Sequence, residues 1–397
     1  MRTTLVSLSL LLVAACVDGP PEPTPGPGMP PAGGTDGGPV GPLLAVATSD
    51  FTSGALAVVD LDRRILDQRV DVIDPQAVVR VHGGRVYVLD QTHGVLRIYN
   101  PQAGWRPPVE IAVGSAQVPA AQTNPHDIHV EGDRAYVTLY GAFGSTLITG
   151  DRAIGILDLA DPRRGLTGFV PVAVAPRDSD NNPEADRLVS CGGRLYVTLQ
   201  DLDRNDRYRP AGPARLAVID PARAQVLGYI QLAGHNPTAI AVPGGDCRQA
   251  MVAHGDDQLS AMPTGRGGIE RVDLTGMRSL GLLVTDAALG GNVSTLDAAE
   301  PGVAFVSLLS RRGMEFHHEI FAVDLQAGQR SGRILGPMNY VPAVRVTHGQ
   351  LLVLSAGFAG AGQLRPGLYV GRADGKPLPA QPLDLGLPPI SLDVIPR

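Results

Sequence analysis

Two acidic stretches carry side chains whose types and spacing could do chemistry. The first reads Asp178-Ser179-Asp180-Asn181-Asn182-Pro183-Glu184-Ala185-Asp186, and the second Asp201-Leu202-Asp203-Arg204-Asn205-Asp206. Both contain D-x-D-x-N, which sets oxygen-bearing side chains on alternate residues, as a loop does when it begins to wrap a calcium ion. The candidate ligands are Asp178, Asp180, Asn182, Asp201, Asp203 and Asn205. The pattern departs from an EF-hand: the Gly at the sixth position and the distal Glu are missing, and Arg204 and Arg207 intrude. A solvated acidic loop whose side chains close turns on their own backbone is the competing reading.

Histidines are the second source of chemistry. His126, Asp127, His129 and His235 fall close together in pattern, each near the start of an apolar run, and His254 ends another such run. Several imidazoles around one opening could hold a transition metal, although no H-E-x-x-H or C-x-x-C spacing occurs. Hydrogen-bonded or exposed histidines are the alternative, and His317-His318 reads as a surface loop pair. No Gly-x-Ser-x-Gly elbow is present, and the Gly-rich stretches 290–292 and 357–362 lack the lysine of a phosphate loop. Lys376 is the only lysine, so lysine-based catalysis is nearly excluded. A formal charge of −6 argues against a nucleic-acid partner, whose phosphates call for basic patches.

These residues must be positioned by something, and the chain supplies a repeat. Arg194-Leu195-Tyr196-Val197-Thr198-Leu199 has a near copy at Arg134-Ala135-Tyr136-Val137-Thr138-Leu139 and a looser one at Arg85-Val86-Tyr87-Val88-Leu89. Weaker echoes begin at Gln249, Val303 and Gln350. A strand recurring at such intervals marks an array of small β-units. The 49 Gly and 35 Pro suit a turn-rich all-β chain. A second marker closes the third strand of each unit: Asp60, Asn100, Asp158, Asp220, Asp273 and Asp324, with Asp374 as a degenerate seventh. Asp or Asn there is expected to close a tight turn on its own backbone.

First strands precede six units, at 76–81, 127–130, 185–189, 238–242, 293–297 and 342–346. Residues 43–73 hold a second, third and fourth strand but no first. The pattern of a first strand reappears with nothing after it at Pro389-Ile390-Ser391-Leu392-Asp393-Val394-Ile395. The last strand of the chain should therefore complete the first unit, and a ring closed this way leaves no open edge. The fold class is all-β: a seven-bladed β-propeller of four-stranded blades, closed by the C-terminal strand. Tyr87-Val88, Tyr136-Val137-Thr138 and Tyr196-Val197-Thr198, with the third-strand Asp, resemble the YVTN family of seven-bladed propellers. The last three blades depart from that motif.

In such a blade the entry to the first strand and the loop between strands two and three share one face. The loops expected there are long, at 140–152, 200–213, 254–268, 310–318 and 356–366, whereas the turns of the opposite face are short. Binding usually resides on long loops carried by a rigid scaffold. Cys191 and Cys247 both fall at the turn between strands one and two, in consecutive blades, so an oxidising compartment should join them.

Export follows from the first residues. Met1-Arg2, an apolar run from Leu5 to Val13 and small residues after it describe a secretory signal, too short to span a bilayer. Val13-Ala14-Ala15-Cys16 resembles the lipobox of bacterial lipoproteins, which implies a lipidated Cys16 as mature N-terminus; ordinary secretion is the alternative. Domains follow: 1–15 as a lipoprotein signal peptide, 16–42 as the lipidated cysteine with a Pro/Gly-rich tether, and 43–397 as one propeller. The expected protein is a monomeric cell-envelope lipoprotein, held to a membrane by its N-terminal lipid after Sec-type export. It would bind a protein, glycan or other envelope ligand through its long-loop face without catalysis, and no cofactor is required beyond a possible Ca²⁺. Seven-bladed propellers include lactone hydrolases. The alternative is thus a lactonase-type enzyme at the channel mouth, drawing on Asp127, His129, Glu184, Asp186 and His235.

Overall fold

A computed structural model describes residues 42–396, apart from 258–260, 301 and 314. The signal, Cys16 and nearly all of the tether lie outside the described residues. Seven antiparallel sheets form a ring, a seven-bladed β-propeller, and a small two-stranded ladder pairs Leu202–Asp203 with Arg209–Pro210 in a loop of blade 4. Blade 4 shows the plan: Ala185–Cys191 is innermost, followed outward by Arg194–Leu199, Arg215–Asp220 and Gln225–Gln231. Burial explains the composition of these strands. Leu195–Leu199 are buried on both faces because a blade is sandwiched between two neighbours, whereas the outer strand exposes part of its length. A short run of β-branched and aromatic residues suits a strand covered on both sides.

The core is divided into wedges. Seven apolar clusters fill the seven junctions between consecutive blades. Tyr196 sits in the wedge between blades 4 and 5, and its hydroxyl donates to the Leu274 carbonyl of blade 5 at 3.2 Å. Tyr136 repeats the contact one blade earlier, donating to the Pro221 carbonyl. The turn marker behaves as expected at every position. Asp60, Asn100, Asp158, Asp220, Asp273, Asp324 and Asp374 each accept a backbone N–H two or three residues on.

Blade 1 is closed by the end of the chain. Pro389–Ile395 pairs antiparallel with Leu43–Ser49, with Leu392 opposite Val46 and Ile395 opposite Leu43. The closing strand also reaches onward, since Val79 and Val81 of blade 2 donate to the side chains of Ser391 and Asp393. Asp393 belongs to a repeated device. Asp127, Asp297 and Asp393, on the inner strands of blades 3, 6 and 1, each accept a backbone N–H from the next blade's inner strand. The donors are Leu188, Val346 and Val81 at 2.8 to 3.0 Å. Each carboxylate also takes the N–H of its own following residue.

Two details differ from expectation. Blade 7 has three strands, Val344–Thr347, Gln350–Ser355 and Gly367–Arg372. The segment beyond it, rich in Pro and Gly, packs against the third strand but pairs with it only at an isolated bridge between Leu368 and Leu383. Residues 310–318 are not a loop: Val303–Arg312 and Glu315–Asp324 run on as an extended hairpin. His317 and His318 are therefore buried rather than exposed, at 6% and 4%. His318 lies within hydrogen-bond reach of the Ser294 and Ser307 hydroxyls, and burial lowers its pKa to about 4.

Cys191 and Cys247 form a disulfide with a Cα–Cα distance of 5.3 Å, joining the turns of blades 4 and 5 across 56 residues. Chain-entropy reasoning assigns about 4 kcal/mol to a loop of that length. Non-reducing peptide mapping is expected to recover this cystine, and reduction to lower the denaturation midpoint. Two free thiols in the protein purified without reductant would contradict the pairing.

Candidate functional site: the loop face and channel mouth

The inner strands line a central cavity of about 500 Å³ bordered by Arg80, His126, Asp127, His129, Arg187 and Arg345, among others. Its charges are matched in pairs. Arg80 lies 2.6 Å from Asp127, Arg345 3.4 Å from Asp393, and Arg187 3.6 Å from Asp186. His126 contacts Asp186 through Nδ1 at 2.9 Å and stacks on Tyr140. Burial alone would raise the Asp186 carboxyl, but Arg187, His126 and Arg80 outweigh it and hold the pKa below the usual range. His129 packs edge-on to His82, and burial with that neighbour brings its pKa down to about 4.

The residues expected for hydrolysis do not converge on one pocket. Asp127 and His129 line the cavity. Asp127 has both oxygens engaged, by the N–H groups of Ile128 and Leu188 and by Arg80. Glu184 is fully buried, taking the Leu202 N–H on one oxygen and Arg204 on the other at 3.0 Å. Burial pushes its pKa up to about 9, with Arg204 pulling against the rise. Asp186 is occupied by His126 and by the Gln200 amide. His235 sits apart in the entry to blade 5, its Nδ1 3.9 Å from Asp256. His254 lies deeper in blade 5, 3.0 Å from Glu270. The histidines are thus split between two blades and the cavity, not gathered around one opening.

The acidic loops close turns on their own backbone, as the competing reading expects: Asp178, Asp180 and Asp203 each accept a backbone N–H two residues on. Ser179, Asn181, Asn205 and Asp206 are exposed, but part of each loop is withdrawn from solvent. Asp178, Asn182, Glu184 and Asp201 are all buried. The two D-x-D-x-N stretches meet on one face, yet the fold separates their members. Asp201 pairs with the buried Arg215, Asn182 spans from the Glu184 N–H to the Tyr140 carbonyl, and Asn205 donates to Ser179. Asp178, Asp180 and Asp203 remain together, each with an oxygen within 4.8 Å of the others. Arg204, which looked intrusive in sequence, is turned to Glu184 and to the carbonyls of Tyr140 and Ala142. Asn181, Glu184 and Asp201 hold left-handed backbone angles, a strain that persists where the surroundings over-determine it. One further group escaped sequence reasoning: Asp74, Asp90 and His93, contributed by the corresponding entry and loop of blade 2. Its members stand 16 and 19 residues apart with no shared motif, so only the repeat register could have paired them.

The same face carries the exposed aromatics. Phe51, Phe143, Phe316, Tyr340 and Phe358 are the exposed large aromatic residues among those described, the most open being Phe143 at 91% and Phe358 at 83%. Phe51, Phe143, Tyr340 and Phe358 lie in blade entries or in the connections between second and third strands of blades 1, 3 and 7, and Phe316 lies near the tip of the extended hairpin of blade 6. None occurs on the short-turn face.

This arrangement defines the class, a seven-bladed β-propeller with a polar channel and one elaborated face. No family model matches the chain. No curated protein matches it either. Solved structures do. The β-propeller domain of Myceliophteria thermophila Cps50 (Swd1) matches with a TM-score of 0.55 at 10% identity, covering 83% of this chain and 96% of that one. Hydrazine synthase of Kuenenia stuttgartiensis matches with a TM-score of 0.51 at 11% identity, covering 76% and 75%. At such identity the likeness concerns the fold alone.

One titration follows from the buried acids. Burial, reinforced by the Asp180, Asp201 and Asp203 carboxylates, raises the Asp178 pKa from 3.8 to about 7. The folded protein therefore holds a proton that the unfolded chain has lost between those values. The destabilisation from ionised Asp178 is complete above pH about 7 and fades as pH falls toward 4. In metal-free buffer, stability is expected to rise as pH is lowered across this window, and Asp178→Asn to flatten the rise. An unchanged slope in the variant would contradict the assignment.

Proposed function

We propose that the chain is a cell-envelope lipoprotein whose propeller is a non-enzymatic binding scaffold. It takes a protein, glycan or other envelope ligand on the loop face, around the channel mouth. The observation that carries this reading is the gathering of the exposed aromatics on one face. Contiguous exposed apolar patches are uncommon on monomers and mark interaction surfaces, whereas singly exposed apolar residues are ordinary. Aromatic rings also supply contact area at low entropic cost. The residues around them are polar and mutually paired, as in the rim of a transient interface. The N-terminal lipid on Cys16 would hold this face in the envelope, with the Pro/Gly-rich stretch as spacer.

The occupied carboxylates favour a scaffold over the lactonase-type alternative. A general base needs a free acceptor within reach of the proton it removes. Asp127, Glu184 and Asp186 each spend both oxygens on the fold.

In-cell photo-crosslinking tests the reading. A benzophenone side chain at Phe143 or Phe358 is expected to yield discrete adducts in the envelope. The same probe at Val303, which is exposed on the short-turn face, is expected to yield none. Adducts from Val303 alone would contradict the proposal.

A further inference from the structure

Three carboxylates from two loops are held in one place, and among the described residues no cationic side chain pairs with them. Asp178 and Asp180 come from the entry to blade 4, and Asp203 from a short strand just beyond its second strand. Asp178 is 8% exposed. Its Oδ1 accepts the Asp180 N–H at 3.0 Å, while its Oδ2 is buried without any partner. A buried carboxylate oxygen left bare is costly and rare in folded proteins. Neutral donors serve the others: the Arg204 N–H reaches Asp180 at 2.7 Å, and the Ser179 hydroxyl reaches Asp203 at 2.9 Å. The neighbouring guanidiniums are committed elsewhere, Arg204 to Glu184 and Arg215 to Asp201. The acidic group in blade 2 differs in including an imidazole, since His93 contacts Asp90 there at 3.0 Å.

We infer that Asp178, Asp180 and Asp203 bind one divalent cation of the calcium type, with the bare Asp178 oxygen as a direct ligand. All three ligands are hard oxygens, which excludes the sulfur and nitrogen preferences of zinc or copper. Three carboxylates do not fill such a shell, and water would complete it. Calcium accepts such irregular shells, whereas magnesium demands near-octahedral geometry. The ion would clamp the blade 4 entry to the loop following its second strand, on the elaborated face. This inference goes beyond the docking reading and does not depend on it.

The test uses the full-length chain, stripped with a chelator and titrated calorimetrically with calcium chloride and, separately, magnesium chloride. Saturable binding of one calcium per chain is expected, with a higher thermal midpoint once loaded and at least tenfold weaker binding of magnesium. Asp178→Asn and Asp203→Asn are each expected to weaken calcium binding by tenfold or more. Asp206→Asn removes a charge from the same loop outside the trio and is expected to leave binding intact. Circular dichroism checks that each variant is folded. Absence of saturable binding by the wild-type chain up to about 1 mM calcium, the weak end for extracellular modules, would overturn the inference. Undiminished binding by the folded Asp178→Asn chain, or equal affinity for magnesium, would also overturn it.

Discussion

The structure depends on the pairing of Pro389–Ile395 with Leu43–Ser49. Every other blade is built from consecutive strands, so its contacts are local in sequence. This one joins the two ends of the domain and turns an open array into a ring. Without it blade 1 would present a bare inner edge, and the apolar wedge between blades 7 and 1 would lose Leu392. An open edge of that kind is a template for aggregation. The closing strand also ties blade 1 to blade 2 through Ser391 and Asp393, so the seam is bonded on both sides.

A closed ring leaves the protein one place to vary. Its inner strands are linked by carboxylates that accept the next blade's N–H groups, and its junctions are packed with aliphatic and tyrosine side chains. The Cys191–Cys247 bond lies among the short turns. On the opposite face, the loops are long and hold the aromatics together with the acidic network of blades 3 and 4. The division of labour is physical: one face and the core hold the ring, and the other face is free to meet a ligand.

Much of the fold was legible because its signals are local. The tyrosine-centred strand, the turn-closing Asp and the unmatched final strand are all read within ten residues. What was not legible needs contacts between blades. Asp127 looks catalytic beside His126 and His129, and only the next blade's Leu188 N–H reveals it as a strap. The two D-x-D-x-N stretches read alike, yet Asp201 goes to Arg215 while Asp203 turns to Asp178, a choice made by tertiary packing. Residues 310–318 read as a loop because Arg311, Arg312, Gly313 and Glu315 are polar or flexible. The hairpin forms anyway because its ladder continues from the buried strands below it. The fourth strand of blade 7 was expected from the repeat, but the Pro- and Gly-rich stretch following Arg372 supplies only the bridge at Leu383.

The central claim is that one face of this ring meets an envelope ligand. Hydrogen exchange measured by mass spectrometry, on the chain in intact envelopes and after purification, tests it directly. The account predicts slower exchange in the envelope at residues 140–152 and 356–366, with the turns at 83–84 and 192–193 unchanged. Protection confined to those turns, or identical exchange in both settings, would contradict it.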